Sequence, residues 1–224
     1  MHGNPQLRQW VFAGLIAGFR QIVLDKLKEI PACLAQDELA YLALTGKIEL
    51  PVTNKLAWLL QLWAPSNGLA VTREWASQPG KHVDIAVLRG SHPEELLELK
   101  AMVTSDPIRE TKTRERSFVE LKNDIGRWRD GYQGTEVLGI LLATHPKNEV
   151  PIEWIKSRTV KYADGVTKAL KILKTESDVK LECERRVREF FRDSEIGSVV
   201  IPAGRCFDTG VEILAWLIGG QTHR

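Results

Sequence analysis

The 224-residue chain is 43% hydrophobic with a formal charge of +2, enough apolar material for one buried core and too much, with too little net charge, for a disordered chain. That charge is too mild to announce nucleic acid by itself. Cys33, Cys183 and Cys206 show no CxxC spacing and no secretory signal pattern precedes them, so a cytoplasmic, reducing setting is expected. No membrane span is expected, because "WVFAGLIAGFRQIVL" is broken at Arg20 and Gln21, short of the roughly 18 apolar residues a span needs.

In chain order, Asn4-Pro5 reads as a helix start, and Phe12, Leu15, Ile16, Phe19, Ile22, Val23 and Leu27 recur at helical spacing until Ile30-Pro31. A shorter helix is expected over "DELAYLAL", ending at Gly46. Another begins near Pro51, with Leu56, Leu59, Leu60 and Trp63 on one face. Then "LAVTREW", "HVDIAVL" and "ELLELKAM", divided by Gly, Pro and Ser, read as three strands. Phe118, Leu121, Ile125 and Trp128 mark a one-sided helix between Thr111 and Asp130, and "EVLGILLA" a buried strand after it. Beyond Pro146 come a short helix around Trp154, helices over "DGVTKALKILK" and "DVKLECERRVREFF" with Thr175 or Ser177 as cap, and a strand at "SVVIPAG". Periodicity leaves "VEILAWLIG" open between strand and helix.

Three charges interrupt the central apolar runs: Asp84 in "HVDIAVL", and Glu98 and Lys100 in "ELLELKAM". Residues two apart on a strand share a face, so Glu98 and Lys100 project together. An antiparallel hairpin with a turn of about seven residues sets Asp84 beside them; a bulge or a one-residue slip decides which face it takes. Two close carboxylates at a sheet centre repel and are costly to desolvate unless a cation joins them. Oxygen ligands of this kind suit Mg²⁺, with Mn²⁺ able to substitute. A lysine alongside can orient the attacking water or stabilise charge growing on a scissile phosphate. On this view Asp84→Ala should leave the metal-free fold as stable or more so. The ordinary alternative is a solvated cross-strand pair.

The element order helix, strand, strand, strand, helix, strand, with Asp84 in the second strand and Glu98-Leu99-Lys100 in the third, resembles the PD-(D/E)XK nuclease superfamily, over roughly residues 49 to 145. Val83 stands where the motif has proline. The resemblance implies an α/β, restriction-endonuclease-like αβββαβ core with a mixed central sheet flanked by helices. An N-terminal helical addition over 1–48 precedes that core, and C-terminal helices with possible extra strands over 146–224 follow it. It implies a Mg²⁺-dependent DNA endonuclease, in restriction, phage defence or repair, with Asp84 and Glu98 as metal ligands and Lys100 as the third catalytic group. A carboxylate from the first core helix is also implied: Glu49 is the candidate, with Glu38 and Glu74 as alternatives. DNA is the implied partner, with a homodimer or a second protein supplying target recognition. A catalytically inactive module of the same fold, binding nucleic acid or protein, is the competing expectation.

Basic residues near the third strand and the helix after it are candidate phosphate contacts: Arg114, Arg116, Lys122 and Arg127, with Arg109, Lys112 and Arg129 nearby. Lys168, Lys171 and Lys174 share a face of a later helix, where they track a phosphate backbone or lie in water. His82 is read as a strand-start residue reaching solvent, and His145 as part of a turn. The seven tryptophans are scattered, which does not indicate a base-stacking platform.

Overall fold

The computed structural model describes residues 18–78, 81–108, 115–161 and 163–221. The Asn4-Pro5 helix start, Arg109, Lys112 and Arg114 lie outside them. Residues 18–29 form helix α1, which tightens into a 3₁₀ turn at Ile30–Cys33, where Pro31 intervenes. Helices α2 (Glu38–Thr45) and α3 (Glu49–Trp63) follow. Three strands come next: β1 (Ala70–Gln78), β2 (Lys81–Arg89) and β3 (His92–Val103). Helix α4 (Arg116–Gly131) then crosses over to β4 (Glu136–Pro146). After α5 (Ile152–Lys156), α6 (Ala163–Leu173) and α7 (Glu176–Phe190) comes a long hairpin, β5 (Ser194–Cys206) and β6 (Thr209–Gln221).

The six strands form one mixed sheet in the order β1-β2-β3-β4-β6-β5. Only β3 and β4 run parallel, which is what a helical crossover through α4 requires. The protein is thus α/β, with an open sheet covered on both faces. On one face Ile85, Leu97, Leu99, Ile140, Ile213 and Leu217 pack under α1, α2 and α3. On the other, Leu96, Met102, Leu141, Leu214 and Trp216 meet Phe118, Leu121, Ile125 and Trp128 of α4 and Cys183 and Val187 of α7. Burial on both faces explains why "VEILAWLIG" has no alternation: the segment is an inner strand. Thr175 caps α7, its Oγ1 accepting from Asp178 N.

The β2–β3 hairpin differs from expectation. Both strands run further than their apolar runs, leaving Gly90 and Ser91 as the turn, with Gly90 at φ +62°. Among the described residues no helix is long and apolar enough to cross a membrane.

Candidate active site

The site begins where β2 and β3 part. Their ladder runs through Ala86–Leu96 and Ile85–Leu97 and stops there; continued one step, it would set Asp84 against Glu98. Val83 packs in the α4-side core and Ile85 in the opposite core. Residues two apart normally share a face, so the backbone turns at Asp84. Across β2, Glu74 interrupts β1 with φ +50°, between the pairs Arg73–Ile85 and Trp75–Val83. Asp84 therefore lies on neither face. Its side chain enters the gap between the strands, where Oδ2 accepts from Leu99 N at 2.7 Å.

Beyond Leu97 the β2-side edge of β3 has no strand partner among the described residues, and its amides point into the opening. Alternate amides on that edge each meet a carboxylate: Leu99 N donates to Asp84, Ala101 N to Glu49 Oε2 at 3.0 Å, and Val103 N to Asp106 Oδ2 at 3.0 Å. Buried amides must find acceptors, and here acidic side chains replace a strand. Glu49 reaches the edge because it opens α3. Asp84 is accordingly a structural acceptor too. That reverses the expectation that Asp84→Ala would cost the metal-free fold nothing.

Glu98 and Lys100 lie on the α4 side of β3, as their spacing predicts, and α4 supplies their partners. Gly139 of β4 is the register partner of Glu98. A Cβ there would sit 2.5 Å from Ile125 Cδ1 and 3.1 Å from Leu121, so glycine lets α4 close onto the sheet at the level of the site. Trp128 Nε1 donates to Glu98 Oε1. Lys100 Nζ pairs with Asp124 Oδ2 at 2.9 Å. Arg127 pairs with Asp124 Oδ1 at 3.0 Å, lies 3.9 Å from Glu98 Oε1, and covers the Trp128 ring at 5.3 Å.

The electrostatics follow from this crowding. Burial, then the neighbouring Asp84 charge, pushes the Glu98 carboxyl up to about 8, against the Trp128 hydrogen bond. Burial also raises Glu49, opposed by Lys100 and the Ala101 amide. For Lys100, burial works downward, but the hydrogen bond and charge of Asp124 outweigh it and hold the ammonium above its ordinary value.

Among the described residues no three His, Cys, Asp or Glu side chains form a ready cage for a metal ion. The donor set still fits Mg²⁺, which binds through one or two carboxylates together with substrate phosphates. Asp84 and Glu98 would hold it, and the raised Glu98 carboxyl marks negative charge that a cation would relieve.

Other candidates stand elsewhere. Glu38 Oε2 accepts from Ala35 N at the start of α2, a local role that does not join the site. Glu74 is exposed, and its carbonyl lies 3.1 Å from His82 Nδ1. Arg116 is exposed and pairs with Glu120 at 2.7 Å. Lys122 sits on the opposite flank of α4, 5.7 Å over the Phe190 ring, so it does not line the site. Lys168 pairs with Asp164. His145 is no turn residue: it is buried in β4, bonded to Thr104 Oγ1 at 3.1 Å and pushed down to about 4 by burial. The sequence pattern assigns no site role to Asp124 or Trp128. Trp128 fell on the apolar stripe of α4, and periodicity does not reveal an indole N–H aimed at a carboxylate on another element. Comparisons with family models, curated proteins and solved structures gave no match.

Proposed function

We propose that the protein is a Mg²⁺-dependent deoxyribonuclease of the restriction-endonuclease-like class. The observation that carries this reading is the parting of β2 and β3 at Asp84, which sets Asp84 and Glu49 on an opened strand edge beside Glu98 and Lys100. Asp84 and Glu98 would hold the ion, Lys100 would orient the attacking water and offset charge on the phosphate, and Arg127 would contact the backbone. The ion supplies Lewis acidity to the phosphate and to the water that attacks it. Cutting both strands would call for a second copy or a partner protein.

A second reading, a nucleic-acid- or protein-binding module without catalysis, is favoured by one fact. Each charge already has a partner in the fold: Lys100 with Asp124, Glu98 with Trp128, Asp84 and Glu49 with strand amides. The two separate on supercoiled plasmid, linear duplex and single-stranded DNA, each incubated with Mg²⁺, Mn²⁺ or EDTA. The nuclease reading expects metal-dependent cleavage of at least one form, lost in Asp84→Asn and in Lys100→Ala. No cleavage by folded protein, or cleavage that survives both substitutions, removes it.

A further inference from the structure

We infer that Asp124 is a positioning residue that fixes two cations of the site at once, an inference that rests on the nuclease reading. Its carboxylate acts as a fork, with Oδ2 on the Lys100 ammonium at 2.9 Å and Oδ1 on the Arg127 guanidinium at 3.0 Å. Asp124 and Lys100 expose only 17% and 21% of their side chains, so water screens the pair far less than it would a surface ion pair. The Asp124–Arg127 contact alone would be an ordinary i,i+3 pair on a helix, of little consequence. The other oxygen reaches across to β3, and it does so at the level where Gly139 draws α4 down.

Lysine is a point charge on a flexible four-carbon stem. Among the described residues Asp124 is the ion-pair partner of the Lys100 ammonium, and with it in place the head group stays beside Glu98. Arg127 is fixed from three directions: by Asp124, by the Trp128 ring beneath it, and by Glu98 at 3.9 Å. A guanidinium held on these sides and still 47% exposed keeps donors free for a phosphate. Asp124 touches no reacting atom, but it sets the geometry of two groups that would, and small misplacements of such groups are costly.

The test combines single-turnover cleavage by the full chain, Mn²⁺ calorimetry, and ¹⁵N NMR of lysine ammonium groups in metal-free protein. Asp124→Asn keeps the size and loses the charge. It should lower the cleavage rate about 10- to 100-fold, as loss of a partner that orients a site group does, with Mn²⁺ affinity near the parent's, and the Lys100 ammonium should change from rigid to mobile. Asp124→Glu should fall between the two in rate. Wild-type rate in Asp124→Asn overturns the inference. So does loss of Mn²⁺ affinity matching that of Asp84→Asn, which would make Asp124 a ligand. If Asp124→Asn does not fold, Asp124→Glu carries the test, and parental kcat in it overturns the inference. If the parent cleaves no DNA, the nuclease reading fails by itself. NMR then decides separately: a mobile Lys100 in the parent overturns the positioning role, while rigidity lost in Asp124→Asn sustains it.

Discussion

Buried carboxyls lie along β3 both where it is paired with β2, at the Glu95 end, and where β2 has left, from Glu98 onward, and their fates differ with what lies along that edge. Glu95 is paired on both sides, with Val87 of β2 and Glu136 of β4. Its neighbour Glu136 is met by Arg20 of α1, Nε to Oε1 at 2.8 Å, and the missing Cβ of Gly219 leaves room for the Arg20 guanidinium, which would otherwise lie 2.7 Å away. Burial and the Glu136 charge push Glu95 up to about 9. At the other end β2 has left, and Asp84, Glu49 and Glu98 border an opening with Lys100. Both ends set carboxylates beside a cation. A buried acid on a closed ladder can only be neutralised from within the fold, whereas one at an opened edge can meet something arriving from outside.

The largest effect expected from this contrast is on stability. Removing Arg20 leaves Glu136 beside Glu95 without its ion-pair partner, and because that pair is part-buried, Arg20→Ala should cost up to about 3 kcal/mol, the lower end of what breaking a buried pair costs. Asp84→Ala should cost less, about 1–3 kcal/mol, because it leaves the Leu99 amide without its acceptor, while Asp84→Asn, which keeps an acceptor oxygen, should restore most of that. Urea unfolding at pH 7 measures all three. An Asp84→Ala protein as stable as the parent would mean that Leu99 N finds another acceptor and that the opened edge is not held by carboxylates.

How far such differences were legible in the sequence depends on whether they are local. The succession of helix, three strands, helix and strand from α3 to β4, the α4 stripe and the shared face of Glu98 and Lys100 follow from periods of 2 and 3.6, and each is found where the pattern puts it. The direction of Asp84 does not follow, because it hangs on a backbone turn opposite Glu74 that no alternation encodes. Nor could the hairpin length be read, since the strands extend through Arg89, His92 and Glu94, residues without an apolar pattern. The Glu95–Glu136–Arg20 set joins residues from three elements, and only the β3–β4 register brings the two acids together. Glu49 was reachable as the first-turn carboxylate of α3, but its contact with Ala101 N is a product of packing.

The two ends should also differ in their response to pH. Both Glu95 and Glu98 have folded values raised above the ordinary carboxyl value near 4.5, to about 9 and about 8. A proton bound in the fold and not in the unfolded chain stabilises the fold. That contribution is complete below about 4.5 and is lost as pH rises through the folded values, with a slope of at most about 1.4 kcal/mol per pH unit for each group. Glu95→Gln should flatten the decline between pH 5 and 9 and leave Mn²⁺ binding alone. Glu98→Gln should flatten it over a narrower span, to about pH 8, and abolish the rise of Mn²⁺ affinity with pH, since the ion and the proton compete for that carboxyl. Equal effects of the two variants on Mn²⁺ affinity would erase the distinction between the ends.

The smallest effect separates the two flanks of α4 and concerns binding only. Arg127 stands over Trp128 at the site, 3.9 Å from Glu98, whereas Lys122 lies against Phe190 on the far flank. If the opened end of β3 receives a DNA backbone, Arg127 neutralises a phosphate and Lys122 does not. Each phosphate neutralised on duplex DNA adds about 0.9 to the slope of log K against log salt. In an Asp84→Asn background, where cleavage does not interfere, Arg127→Gln should therefore lower the slope by about one unit, and Lys122→Gln should leave it unchanged. A drop in both variants would mean that DNA wraps α4 from both sides, extending the interface past Phe190. A drop in Lys122→Gln alone would move the backbone to the α7 flank, away from the carboxylates, and the opened edge of β3 would lose its substrate.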